Sequence, residues 1–306
     1  MNIATFANWG FLKYAINLYH QLKKFDMHKN LTIYTYGNGH IYTKVKDLGL
    51  ECDVREFKTN FFNFDKFEHF QKQVNCGEDV SYGRYCAYKL ETLYQNVKEK
   101  GFTLLIDSDT GIFENIQKQT EEEMGDKNIG IKLYLNHPYN TFPCYVQNKI
   151  VNGGFLAGKD HEHFYKFYED VFKILDKEYE TEFGNLDESV MACEINKYIE
   201  NGKDYFAFFS DELNLLSDKE NRYLPWDINP TEEDRKVKRF CKSYHCTFMP
   251  GNQKETFLER LGCWDFRSNI ESWKKLNQSL WTDMPIPSIK KVNEMEPEIG
   301  LEPITA

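Results

Sequence analysis

The stretch Phe102-Thr103-Leu104-Leu105-Ile106, followed at once by Asp107-Ser108-Asp109, constrains this chain more than any other segment. A short, nearly unbroken apolar run of this length is a strand covered on both faces, and such strands sit at the centre of a sheet flanked by helices. Upstream, Tyr85, Ala87, Tyr88, Leu90, Leu93, Tyr94 and Val97 recur at helical spacing and stop at Gly101, which predicts a helix over 82–100 feeding the strand. Two carboxylates one residue apart can both turn toward one cation, at the strand end where open α/β sheets bind ligands. Hard oxygen donors there suit Mg²⁺ or Mn²⁺. The alternative reading of the triplet is turn chemistry, since Asp is favoured after strands.

The start of the chain follows the same plan. Asn2 to Ala7 reads as a strand running into Asn8-Trp9-Gly10, and Leu12, Ala15, Ile16, Tyr19 and Leu22 form an apolar helical stripe through Lys24. Leu31 to Tyr36 follows as a second strand, with turn chemistry at Gly37-Asn38-Gly39, and the βαβ unit this implies has a right-handed crossover. A short helix over 42–48 and a third strand over 52–57 are expected next. Residues 58–78 are rich in Phe, Asn and Lys without periodicity and read as loop or short helices. Beyond a charged segment at 114–128, a strand is expected at Ile129 to Leu133 and helices at 161–178 and 188–198. Pro285, Pro287, Pro297 and Pro303 make the end of the chain a flexible tail or surface strap.

Composition narrows the function classes. With 306 residues, 41% hydrophobic and 28% charged, the chain can bury the core of one large or two small domains. Its net charge of −10, without a Lys/Arg run, argues against nucleic acid as partner, because phosphate contacts need a basic patch. A nucleotide remains open, since a bound metal and one or two local cations neutralise a diphosphate. The eight cysteines contain no CxxC pair, so free thiols in a reducing compartment are expected. The chain opens on a strand, with no signal peptide and no apolar span long enough for a transmembrane anchor, which reads as a soluble cytoplasmic protein.

Leu104-Leu105-Ile106-Asp107-Ser108-Asp109, with Ile112-Phe113 after it, resembles the Asp-x-Asp segment of the GT-A nucleotide-diphospho-sugar transferases of glycogenin-like plan. Asn152-Gly153-Gly154 matches their Asn-(Ala/Gly)-Gly stretch; taken alone it is equally a tight turn between strands. Asp187-Glu188 resembles their Asp-Gln pair, with Glu in place of Gln, and is equally suited to capping the helix that follows. Tyr244-His245 and Gly251-Asn252-Gln253-Lys254 are similar to their His-x-x-Gly-x-x-Lys, although five residues here separate His245 from Gly251 where the family has two. A lone His is also often a packing residue.

The resemblance covers residues 2–254 and implies a Rossmann-type α/β/α sandwich with a mainly parallel central sheet. It implies one catalytic domain over 1–283, with the nucleotide part in 1–110 and the acceptor part in 111–283, and a tail over 284–306. Asp107, Asp109 and His245 would hold Mn²⁺ or Mg²⁺. Phe6, Ala7, Asn8, Arg84, Tyr85, Lys89, Ser108, Asn152, Gly153, Gly154, Gly251 and Lys254 would line the donor, and Asp187 and Glu188 the reacting centre. The implied donor is a nucleotide-diphosphate sugar, UDP favoured over GDP, the acceptor a carbohydrate or other hydroxyl, and retention is favoured over inversion. For inversion, Asp187, Glu188 and Asp211 are the candidate bases. The rivals are a sugar nucleotidyltransferase and a glycan- or nucleotide-sugar-binding protein without catalysis. The resemblance extends to soluble enzymes of bacteria or of virus-infected host cells.

Overall fold

A computed structural model describes residues 1–36, 39–62, 82–134, 144–178, 186–216, 232–246 and 251–264. Five segments of the sequence alternate as anticipated: β1 (Asn2–Ala7), α1 (Leu12–Lys24), β2 (Leu31–Thr35), α2 (Gly39–Asp47) and β3 (Asp53–Glu56). The helix α3 (Tyr82–Lys100) then leads into β4 (Thr103–Ile106). Gly101 ends α3 with φ of 77° while its N–H bonds to the Val97 carbonyl at 2.8 Å, a left-handed cap that glycine adopts without strain. The second half of the chain adds β5 (Thr110–Ile112), α4 (Gln117–Met124), β6 (Ile129–Tyr134), β7 (Ile150–Gly158), α5 (Glu162–Glu178) and α6 (Leu186–Glu200). It closes with β8 (Phe206–Phe209), β9 (Leu215–Leu216), α7 (Glu232–Phe240), β10 (Ser243–His245) and α8 (Gly251–Arg260).

Seven strands form the central sheet in the order β3-β2-β1-β4-β7-β6-β8, all parallel except β7, which runs antiparallel to both its neighbours. Every residue of β4 is buried, because alternate side chains enter two separate cores. Leu105 packs with Tyr88, Leu90 and Phe164 under α3 and α5, whereas Leu104 and Ile106 pack with Leu12, Ile16 and Met124 under α1 and α4. A helix layer on each face is the arrangement that the apolar run predicts, and it leaves the carboxyl ends of the parallel strands as the open edge.

A second, three-stranded sheet, β5-β10-β9, stands at that edge. A polar anchor ties it to α1, where the Gln21 side chain accepts the Ile112 N–H at 2.6 Å; the Asn17 amide of the same helix donates to the Cys263 carbonyl just past α8 at 2.9 Å. The charged segment 114–128 contains α4, which shows no apolar stripe in sequence because it buries only Thr120 and Met124. Residues 150–158 form one continuous strand, so the tight turn that Asn152-Gly153-Gly154 allowed is corrected. The ladder to β6 jumps from Ile131↔Leu156 to Lys132↔Asn152, which leaves Gly153, Gly154 and Phe155 as an inserted bulge. The Gly37-Asn38 turn, the segment 63–81, Asn185 and the tail from 284 lie outside the described residues. Among the described residues seven cysteines are free, and no helix is long and apolar enough to cross a membrane.

Candidate functional site

Asp107 follows β4 directly, and its N–H donates to the Gly154 carbonyl at 2.8 Å, so the first carboxylate is pinned to the bulge of β7. Asp109 precedes β5, whose antiparallel pairing with β10 places His245 opposite Thr110. The ring Nε2 of His245 lies 3.3 Å from Asp107 Oδ2 and 3.3 Å from Asp109 Oδ1. One ligand atom from each of Asp107, Asp109 and His245 falls within 4.8 Å of the others. Two cations complete the ring: Lys89 from α3 reaches Asp107 Oδ2 at 3.0 Å, and Lys254 from α8 reaches Asp109 Oδ2 at 2.5 Å. The altered spacing after His245 therefore does not keep Lys254 away; residues 247–250 lie outside the described residues.

Gly154 makes this packing possible. A Cβ there would stand 2.4 Å from Asp107 Oδ2 and 2.4 Å from His245 Cε1, far inside contact distance. Burial acts to raise the Asp107 and Asp109 carboxyls, but Lys89 and His245 at the first, and Lys254 and His245 at the second, hold both below the ordinary range. Burial acts to lower His245; Asp109 and Asp107 overcome it and carry the imidazole up to about 9. The Nδ1 of His245 is buried without a hydrogen-bond partner.

A second carboxyl pair faces the other side of the same bulge. Asp187 and Glu188 lie in the first turn of α6, and Glu188 Oε1 accepts the Gly153 N–H at 2.8 Å. Asp187 is 1% exposed, its Oδ2 has no partner, and a Cβ on Gly153 would come within 3.1 Å of that oxygen. Burial raises Asp187, and burial together with Asp187 pushes Glu188 up to about 8. A helix N-terminus favours ionised carboxylates, so desolvation outweighs the dipole here. Asn152 folds back, its Oδ1 accepting the Gly154 N–H at 3.1 Å.

The remaining anticipated residues are more dispersed. Phe6 and Ala7 bury their side chains in the two cores, and Asn8 Oδ1 accepts the Phe11 N–H at 3.2 Å. Ser108 is buried. Arg84 and Tyr85 lie on α3 and Gly251 opens α8, with nothing further described of them. Asp211 is held by Lys132 at 2.5 Å and has no described contact with Asp187 or Glu188. Sequence reasoning passed over Phe11, whose ring lies 5.4 Å beneath the Lys254 ammonium, and Glu255 beside it; an aromatic just past the first strand was the only available signal.

No protein-family model and no curated protein matches the sequence. Solved structures do. WbbM, a bifunctional glycosyltransferase, aligns with a TM-score of 0.55 at 10% identity over 90% of this chain and 51% of its own. The galactosyltransferase LgtC, in complex with donor and acceptor sugar analogs, aligns with a TM-score of 0.51 at 12% identity over 87% and 96%. The glycosyltransferase GlyE of Streptococcus pneumoniae, at 12% identity and a TM-score of 0.46, is spanned over 63% of its length. The fold is that of the GT-A glycosyltransferases.

Proposed function

We propose that this chain is a metal-dependent glycosyltransferase that moves a sugar from a nucleoside-diphosphate donor, UDP favoured, to a hydroxyl of a carbohydrate or other acceptor. One observation carries the reading: at the carboxyl edge of a GT-A sheet, Asp107, Asp109 and His245 converge within 4.8 Å while Lys89 and Lys254 ring them. Two carboxylates and an imidazole form a donor set suited to Mn²⁺ or Mg²⁺, and Gly154 leaves room for them to converge, so the residues fit the cation. When bound, such a cation neutralises charge that develops on the departing diphosphate.

The protein's own groups do the rest. Lys254 and Lys89 add positive charge beside the diphosphate oxygens, and Gly153 and Gly154 leave the space that Asp187, Asp107 and His245 fill at β7. The bond from anomeric carbon to phosphate oxygen breaks, the acceptor oxygen bonds to that carbon, and the acceptor's proton passes to a base. Asp187 and Glu188 orient the reacting sugar and acceptor in this reading, which the Glu188 contact with Gly153 across the bulge supports. Retention is the favoured outcome, by resemblance. The catalytic unit is residues 1–283, acting as a soluble cytoplasmic protein, with 284–306 as a tail. A nucleotidyltransferase reading is disfavoured because Asn8-Trp9-Gly10 is no phosphate-cradling loop and Asn8 is spent on the Phe11 N–H.

The test is a thermal-shift panel of UDP- and GDP-sugars with and without Mn²⁺, followed by donor hydrolysis. A ligand bound by the native state alone raises the melting temperature, and metal-dependent stabilisation with donor turnover is expected. No stabilisation by any nucleotide sugar would overturn the assignment; stabilisation without turnover would make the protein a binder.

A further inference from the structure

Lys254 reaches Asp109 from the first turn of α8, a helix that belongs to a different part of the chain from the central sheet. What holds that turn in place is its neighbour. Glu255 pairs with Lys13 of α1 and accepts a side-chain hydrogen bond from Tyr14, the next residue of the same helix. Tyr14 is 2% exposed and is itself wedged between Phe11 at 6.0 Å and Trp264 at 5.6 Å, measured between ring centroids. The Phe11 ring in turn lies under the Lys254 ammonium. Residues 254 and 255 are thus gripped from below by three positions at the start of α1: Phe11 just before it, and Lys13 and Tyr14 in its first turn.

We propose that Glu255 is a positioning residue whose clamp onto Lys13 and Tyr14 fixes Lys254 at the Asp109 carboxylate and thereby at the diphosphate of the donor. The part concerning the diphosphate rests on the glycosyltransferase reading; the part concerning Lys254 does not. The side chains of Lys13 and Glu255 are each about one-third exposed (33% and 36%), so their ion pair alone is screened. The buried Tyr14 hydroxyl makes the anchor geometric, and its bond to a charged acceptor is about twice as strong as one to a neutral amide, so loss of the Glu255 charge loosens both contacts. The described contacts of Glu255 are with Lys13 and Tyr14 and not with Asp107, Asp109 or His245, so it acts through Lys254.

Two measurements test this on Glu255→Gln, Glu255→Lys, Lys13→Glu and the Lys13→Glu/Glu255→Lys exchange, with melting temperatures recorded for each. The first is acylation of Lys254 by an amine-reactive reagent, quantified by peptide mass spectrometry; the Lys254 side chain is 13% exposed in the intact protein. Acylation should rise roughly 3- to 10-fold in Glu255→Gln and further in Glu255→Lys, with partial restoration in the exchange, as expected for a coupled pair. The second is binding of UDP with Mn²⁺, which should weaken about tenfold in Glu255→Gln and mainly as a rise in donor KM. Unchanged Lys254 acylation in folded Glu255→Gln overturns the clamp. Failure of the unaltered protein to bind any nucleoside diphosphate overturns the glycosyltransferase reading, while the acylation series still decides the clamp.

Discussion

Two pairs of carboxyl groups flank the bulge of β7, and their acidities are driven in opposite directions. Asp107 and Asp109 are surrounded by Lys89, Lys254 and His245 and are held ionised; Asp187 and Glu188 are as close to the glycines but, among the described residues, have no cation in hydrogen-bond contact, and burial raises both. The same residue types therefore make an ionised cluster on one side and a pair of raised proton affinity on the other. Sequence alone cannot separate them, since what differs is which long side chains converge from distant helices.

The contrast can be broken hardest at Asp109. Asp109→Asn keeps the shape but removes the charge that faces both Lys254 and His245. Metal-dependent donor turnover should fall by on the order of 10³-fold with the fold retained, as judged by circular dichroism. Retained turnover would sink the metal assignment. Gly154→Ala comes next: its Cβ would displace the Asp107 carboxylate or the His245 ring, so Mn²⁺ affinity by calorimetry should drop about 10- to 100-fold, at a stability cost of roughly 1–3 kcal/mol.

On the other side of the bulge the expected effects are smaller and depend on pH. The Glu188 carboxyl titrates near 8 in the folded state against 4.5 ordinarily, so the folded protein binds more protons between those values and its stability falls as pH rises through that window. Glu188→Gln should flatten that decline and add on the order of 1–2 kcal/mol at pH 8 in denaturant titrations, with the gain vanishing toward pH 4.5. An unchanged slope would show that Glu188 ionises normally. The mildest change is Lys89→Met, which leaves Asp107 with His245; donor affinity should weaken by about 3- to 10-fold, more at low salt than at high.

Much of the frame was legible because local patterns coincide with global ones. The boundaries of α3, the burial of β4 and the parallel β1-α1-β2 unit follow from periodicity and from Gly101. The small sheet was not legible: β5 and β10 are three residues each and β9 two, too short to show alternation, and the pairing of β5 with β10 spans more than a hundred residues. That pairing is what brings His245 to the aspartates, so its place at the site rested on a motif with altered spacing. The antiparallel direction of β7 was equally hidden, because an apolar strand buried on both faces reads the same either way.

The bulge at Gly153 and Gly154 has one more consequence. Two neighbouring residues of a single strand hold Asp107 through the Gly154 carbonyl and Glu188 through the Gly153 N–H. The Asp107 charge is among the causes that raise the Glu188 carboxyl, so a ligand that neutralises that charge is expected to lower the proton affinity of Glu188, and by reciprocity each alters the other by the same factor. Measured side by side, Mn²⁺ affinity as a function of pH and the Glu188 titration as a function of Mn²⁺ must then yield one coupling energy.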